Sequence, residues 1–374
     1  MKTTSKALAV SAMLAIPTLA SAQYIANVGW APTHIITKNA YLDMAESLKE
    51  ASGGDLMLEV YTGGSLIDVR STLQGVSNGI AQVGFVTGAY LPSDLPLNNV
   101  IADMAFVADD PTAAALAFTE VNFTEPKLRD EWQDNGVLFG GGYSTPVYKF
   151  ICNTPVETPD DLKGLKIRTA GASHIRWVEH MGAVPVSVPF SEVYTGLQLG
   201  SIDCAMADTT SLVSGFRIAE VAKHVTELPM GTHTSGATWV MNPGFWQGLS
   251  AEQKSVLFDE FAQAIARMQV DYEQQADRNL ELGINEHGVE LVEPSDELQQ
   301  ALAAFNEAYI NTLADVSMEN RGVNDPTDII DAYLAAEARW KERLAEVDRH
   351  DTEAIASLLK EAVYDQLDLA SYGL

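Results

Sequence analysis

Two α/β lobes are what this sequence predicts, each a mostly parallel sheet flanked by helices, with a long lobe-bridging helix and a helical C-terminal extension. Three observations predict it. Strand and helix patterns alternate in two successive sets, one from Tyr24 to Phe139 and one from Pro146 to His233, the rhythm of βαβ units. The stretch from Ser250 to Leu282 contains neither Gly nor Pro, so nothing in it stops a helix. The chain beyond Gly288 is rich in Ala, Leu and Glu at helical spacing.

In chain order, Tyr24–Trp30 reads as a short apolar strand. His34–Lys49 reads as a helix, with Ile36, Ala40, Met44 and Leu48 on one stripe, stopped by Ser52-Gly-Gly54. Leu56, Leu58 and Val60 alternate as a strand; Asp68–Val76 follows as a helix and Ile80–Val86 as a strand. A helix over Thr112–Phe123 precedes the strand Val137–Phe139. The second set supplies strands Val147–Cys152, Leu165–Arg168, Val184–Val188 and Ile202–Met206, followed by Trp239–Met241. A single helix over 250–282 would span roughly 50 Å, more than one small lobe. Helices over Asp296–Asn320, Thr327–Val347 and Thr352–Leu367 complete the chain.

The first residues read as a cleavable leader. Lys2 and Lys6 precede a mostly apolar run from Ala7 to Leu19, and Ala20-Ser-Ala22 is a small-residue cleavage site. The run is too short to span a bilayer and contains Pro17, and no later segment is apolar enough to do so. A secretory signal peptide over 1–22 and a periplasmic location are therefore expected. The 374 residues carry a formal charge of −28. That balance argues against nucleic acid, which needs a basic face. It also means that an anionic ligand would have to be held by a local, buried cation. Cys152 and Cys204 have two open readings, a disulfide or two small buried hydrophobes, because a sequence does not supply the Cα separation.

Arg168 ends the segment Thr158-Pro-Asp-Asp-Leu-Lys-Gly-Leu-Lys-Ile-Arg168. Gly182-Ala-Val-Pro185 and Pro189-Phe-Ser-Glu-Val-Tyr-Thr-Gly-Leu-Gln-Leu-Gly-Ser-Ile-Asp203 follow. A guanidinium at the end of a strand, beside a helix that begins near Pro189, suits a small carboxylate, because its planar fork matches two carboxylate oxygens. Spacing alone leaves a structural salt bridge equally open. The segments resemble the DctP-type solute-binding proteins of tripartite ATP-independent periplasmic (TRAP) transporters, over nearly the whole mature chain. The resemblance implies a two-lobed periplasmic-binding-protein fold and a receptor that delivers a small organic acid to TRAP membrane subunits. It assigns Arg168 the carboxylate contact and Phe190 packing against the solute, where residues alone would leave Phe190 in a core.

The chain departs from the family pattern after Asp203. It reads Asp203-Cys-Ala-Met-Ala-Asp208, so Ala207 stands where many members place a ligand-contacting Asn. Asp208 then has open readings: a contact to a cationic or hydroxyl group of the solute, a hand in holding a metal ion, or a helix N-cap. Lys149 beside Tyr148 falls near a second cation of some members, with a solvated lysine as the other reading. His34 lies where members often place a polar contact. Tyr90, Tyr143, Trp177, Phe216 and Trp239 are aromatic candidates for a cleft or for cores. No cofactor is expected, with a metal beside the ligand left open.

Lobe I is assigned 23–146 plus 236–282 and lobe II 147–235 plus 283–374, with hinges near 144–148 and 234–237. Ligand would sit between them, outside the carboxyl ends of strands. Enzyme motifs fare poorly. Gly142-Tyr-Ser-Thr-Pro146 has Pro where a nucleophile elbow needs Gly. His174 and His180 are six residues apart and share no i,i+4 face. A periplasmic enzyme on a small acid, or a receptor feeding a sensor protein, stands as the alternative.

Overall fold

The computed structural model describes residues 22–373; residues 1–21, all of the predicted leader but Ala22, and residue 374 lie outside them. The first sheet is built from β1 (Ala22–Val28), β2 (Leu56–Thr62), β3 (Val83–Val86) and β4 (Leu138–Gly141). The second begins with β5 (Lys149–Cys152) and continues with β6 (Lys166–Arg168), β7 (Val184–Val186), β8 (Cys204–Ala207) and β9 (His224–Thr226). The chain then returns: β10 (Ala237–Met241) joins the first sheet and β11 (Glu290–Val292) the second. Strand order is β2-β1-β3-β10-β4 in the first and β11-β9-β5-β8-β6-β7 in the second.

Both sheets are mixed. β1 pairs in parallel with β2 and β3, and β6 with β7 and β8, as the βαβ rhythm requires. β10 runs antiparallel to β3 and β4, and β5 antiparallel to β8 and β9. The reason is connectivity. A parallel neighbour needs a helical crossover, whereas β4 reaches β5 and β9 reaches β10 through short extended segments that pass from one sheet to the other.

Those two segments are tied together. Thr145 N donates to His233 O at 3.0 Å and Tyr148 N to Gly231 O at 2.8 Å; His233 N returns to Thr145 Oγ1 at 3.0 Å. The long helix runs from Ala251 to His287 without interruption. Ser250 and Gln253 close its N-terminus reciprocally, and Gly288 ends it in the left-handed conformation, φ 67°. It packs on β4 of the first sheet and on the turn Thr209–Leu212 that follows β8 of the second. Midway, Gln269 is fully buried and donates from Nε2 to Ser144 O at 3.1 Å, fixing one crossover to the helix.

The C-terminal helices divide in a way the sequence reading did not anticipate. Helix Asp296–Arg321 buries Leu298 and Leu302 in the second lobe's core. Helix Thr327–Leu344 instead packs along Pro111–Thr124, and Thr352–Ala362 along the long helix. Polar anchors follow the same division: Trp340 Nε1 donates to Glu120 at 2.7 Å, and the Tyr364 hydroxyl to Gly140 O at 2.9 Å. Helical periodicity marks an apolar face without saying which partner covers it, so grouping all of 283–374 with lobe II does not describe these contacts.

Cys152 and Cys204 are bonded. They are direct cross-strand partners of β5 and β8, with Cα atoms 4.0 Å apart.

Candidate functional site

Arg168 is the last residue of β6, and its guanidinium lines a cavity of about 60 Å³ between the two sheets. The side chain is 2% exposed. Its neighbours are neutral and distant: Val188 O at 3.4 Å, Met206 O at 3.3 Å and the Tyr90 hydroxyl at 3.4 Å. Among the described residues it forms no ion pair within 4.0 Å. A buried cation without a counter-charge costs several kcal/mol. The guanidinium donors are thus not consumed by a structural salt bridge among the described residues.

Phe190 opens the turn after Pro189, and its ring lies 4.7 Å from the Arg168 Cζ. That cation–π contact stabilises the guanidinium without consuming its hydrogen-bond donors. Phe216 meets Phe190 edge-on at 4.5 Å and Trp30 at 5.8 Å. Tyr90 bridges the sheets: its hydroxyl accepts from Phe190 N at 2.9 Å. Tyr143, Tyr148 and Tyr272 complete much of the wall. Burial raises the pKa of all three phenols above its ordinary value, so they stay neutral.

His34 and His233 also line the cavity, and burial lowers each imidazole to about 3, so both are neutral. His34 Nδ1 accepts from Ile36 N at 3.2 Å. Its proton is therefore on Nε2. Asp208, 8% exposed, follows β8 and lines the same cavity. Its Oδ1 accepts from Thr210 N at 3.0 Å and from the Thr210 hydroxyl, capping the turn Thr209–Leu212. Burial raises its carboxyl to about 6, with the Thr210 hydrogen bonds and the Arg168 charge opposing. The cap reading and a place in the cavity thus hold together.

Three candidates lie elsewhere. Ala207 is buried in the core on β8 and does not line the cavity, because adjacent strand residues face opposite sides and Asp208 takes the inward place. Lys149 follows Tyr148 with the same alternation and pairs with Glu227 at 2.5 Å. Trp177 is fully buried in the second lobe's core. Trp239, a further aromatic candidate, stacks on Phe261 at 4.0 Å within the first lobe. Trp30, Tyr272, His233 and Thr210 line the site without having been singled out for it. Trp30 at a strand end was the one local signal available; the other three arrive from distant segments that no spacing connects.

Among the described residues, no helix is long and apolar enough to cross a membrane, and no group of three His, Cys, Asp or Glu side chains is placed to hold a metal ion.

The solute-binding protein of Albidiferax ferrireducens is 27% identical over 208 residues, 53% of this chain and 56% of its own length. The 2,3-diketo-L-gulonate-binding periplasmic protein YiaO of Escherichia coli is 28% identical over 282 residues, 73% of this chain and 80% of its own. DctP7, a Bordetella pertussis extracytoplasmic solute receptor binding pyroglutamic acid, shares the fold with a TM-score of 0.72 at 22% identity, covering 83% of this chain and 99% of that one. The bacterial extracellular solute-binding proteins of family 7 match residues 26–315, and the chain belongs to that DctP family.

Proposed function

We propose that this chain is the extracytoplasmic receptor of a TRAP transporter, which captures a small organic acid between its lobes and delivers it to the membrane subunits. The observation that carries the reading is Arg168: a buried guanidinium, unpaired, on the wall of an inter-sheet cavity. Its donors meet the ligand carboxylate, and Phe190 packs against both. Binding of this kind needs no covalent step and no cofactor, since Arg168 itself supplies the cation. Support comes from the family and from relatives whose names record sugar-acid and cyclic-acid ligands. In this reading residues 1–22 export the chain to the periplasm, and the crossovers near 144–148 and 234–237 act as hinges.

A thermal-shift screen of organic acids tests it. A ligand at 100 times its Kd stabilises the folded state by about 2.7 kcal/mol. The shift should vanish in Arg168→Ala while the variant stays folded. An unchanged shift in that variant, or no shift with any acid, overturns the reading.

A further inference from the structure

The cavity wall carries one cation and one carboxyl that do not meet. Arg168 and Asp208 both line a space of about 60 Å³, yet no ion pair joins them within 4.0 Å. Asp208 Oδ1 is occupied by Thr210, while Oδ2 receives no hydrogen bond from the described residues. Asp208 is 8% exposed as a residue and lines the cavity with one of its two carboxylate oxygens unused by the described residues. An anion seated on Arg168 in so small a space would put its far side near Asp208. A carboxylate or bare hydrocarbon there is disfavoured, the first by like charge and the second by covering Oδ2 without hydrogen-bonding it.

The rest of the wall narrows the solute further. Among the described residues no second arginine or lysine lines the cavity, and Lys149, the nearest candidate by sequence, is paired with Glu227. A second carboxylate on the ligand would therefore have no cation. Trp30, Phe190, Phe216 and Tyr272 present ring surfaces instead, which favour a compact ring over an extended polar chain.

Building on the receptor reading above, we propose that the solute is a compact ring monocarboxylic acid with an N–H or ammonium group opposite the carboxylate, and that Asp208 is the residue that selects it. Arg168 holds the carboxylate, the aromatic wall encloses the ring, and Asp208 Oδ2 accepts the proton of the distal nitrogen. Simple dicarboxylates and donor-free acids are discriminated against by the same atom.

Calorimetric titration of the whole protein with matched probes tests this. Cyclopentanecarboxylate carries no donor, 5-oxopyrrolidine-3-carboxylate a neutral N–H across the ring from its carboxylate, pyrrolidine-3-carboxylate a ring ammonium there, and succinate a second carboxylate. The wild-type protein should bind at least one nitrogen-bearing ring acid ten-fold or more tightly than cyclopentanecarboxylate, with succinate weakest. Asp208→Asn keeps the volume and an N-cap oxygen and should shrink that preference at least ten-fold. The proposal is overturned if cyclopentanecarboxylate or succinate binds as tightly as the nitrogen-bearing acids, if neither of those binds, or if the preference survives in Asp208→Asn. The wild-type ranking decides even if that variant fails to fold. The receptor reading fails separately, only if no acid of the wider screen binds or if Arg168 proves dispensable.

Discussion

At the scale of single residues, the site sets stability against function. Arg168 is buried with no ion pair within 4.0 Å among the described residues, so the protein without ligand carries much of its desolvation cost. Arg168→Met replaces the charge with a flexible apolar side chain. It should raise the stability of the ligand-free protein by about 1–3 kcal/mol while abolishing acid binding. Urea unfolding with and without ligand measures both. His174 makes a second case. It is fully buried between Phe106 and Tyr148, and neither ring nitrogen has a hydrogen-bond partner. Burial, with the nearby His233 and Arg168, lowers it to about 3. In the unfolded chain an imidazole titrates near 6.5. Between those values the unfolded state binds more protons than the folded one, so stability falls as pH falls below about 6.5. His174→Phe removes this residue's share of that dependence, leaving the shares of His34 and His233. Relative to the wild type it should gain about 1–2 kcal/mol between pH 7.5 and pH 5, read from denaturation midpoints across pH. A parallel response in both proteins would refute the assignment.

At the scale of elements, the site rests on the parallel run β8–β6–β7 and on β5 beside it. β8 delivers Asp208 and β6 delivers Arg168, while the Cys152–Cys204 bond holds β5 to β8 within the same sheet. The bond closes a loop with a sequence separation of 52, so it constrains the unfolded chain considerably. The double substitution Cys152→Ala and Cys204→Ala should cost about 2–4 kcal/mol, and a reducing agent should lower the melting temperature of the wild type alone. The long helix supports the site from the other side. Asn279 Nδ2 donates to Thr210 O at 2.7 Å, and the Thr209 hydroxyl to Ala276 O at 2.8 Å. The turn capped by Asp208 is thereby fixed to the element that spans both lobes.

At the scale of the whole molecule, the cavity exists because two sheets face one another across paired crossovers. Tyr90 comes from the first set of elements and Phe190 from the second, and the hydrogen bond between them, at 2.9 Å, closes over Arg168. Tyr90→Phe deletes that link without changing the ring. The expected result is a Kd weakened about 3- to 10-fold, the equivalent of one neutral hydrogen bond, expressed mainly as faster dissociation. Stopped-flow exchange of a bound acid measures it. An unchanged dissociation rate would show that the bond contributes nothing to closure.

Much of this was legible in the sequence because it is local. The alternation of strand and helix, the unbroken helix after Ser250 and the strand that ends in Arg168 all depend on residues within a few positions of one another. The family resemblance added the role of Arg168 and Phe190, which spacing alone left open. Tertiary structure decided what depends on distant partners: that Cys152 meets Cys204, that Lys149 is spent on Glu227, and that Thr327–Leu344 covers the first lobe. It also decided that Trp30, His233 and Tyr272 converge on one cavity. Periodicity tells a chain which face to bury but not against what, and a site assembled from segments far apart in sequence is specified by how they pack.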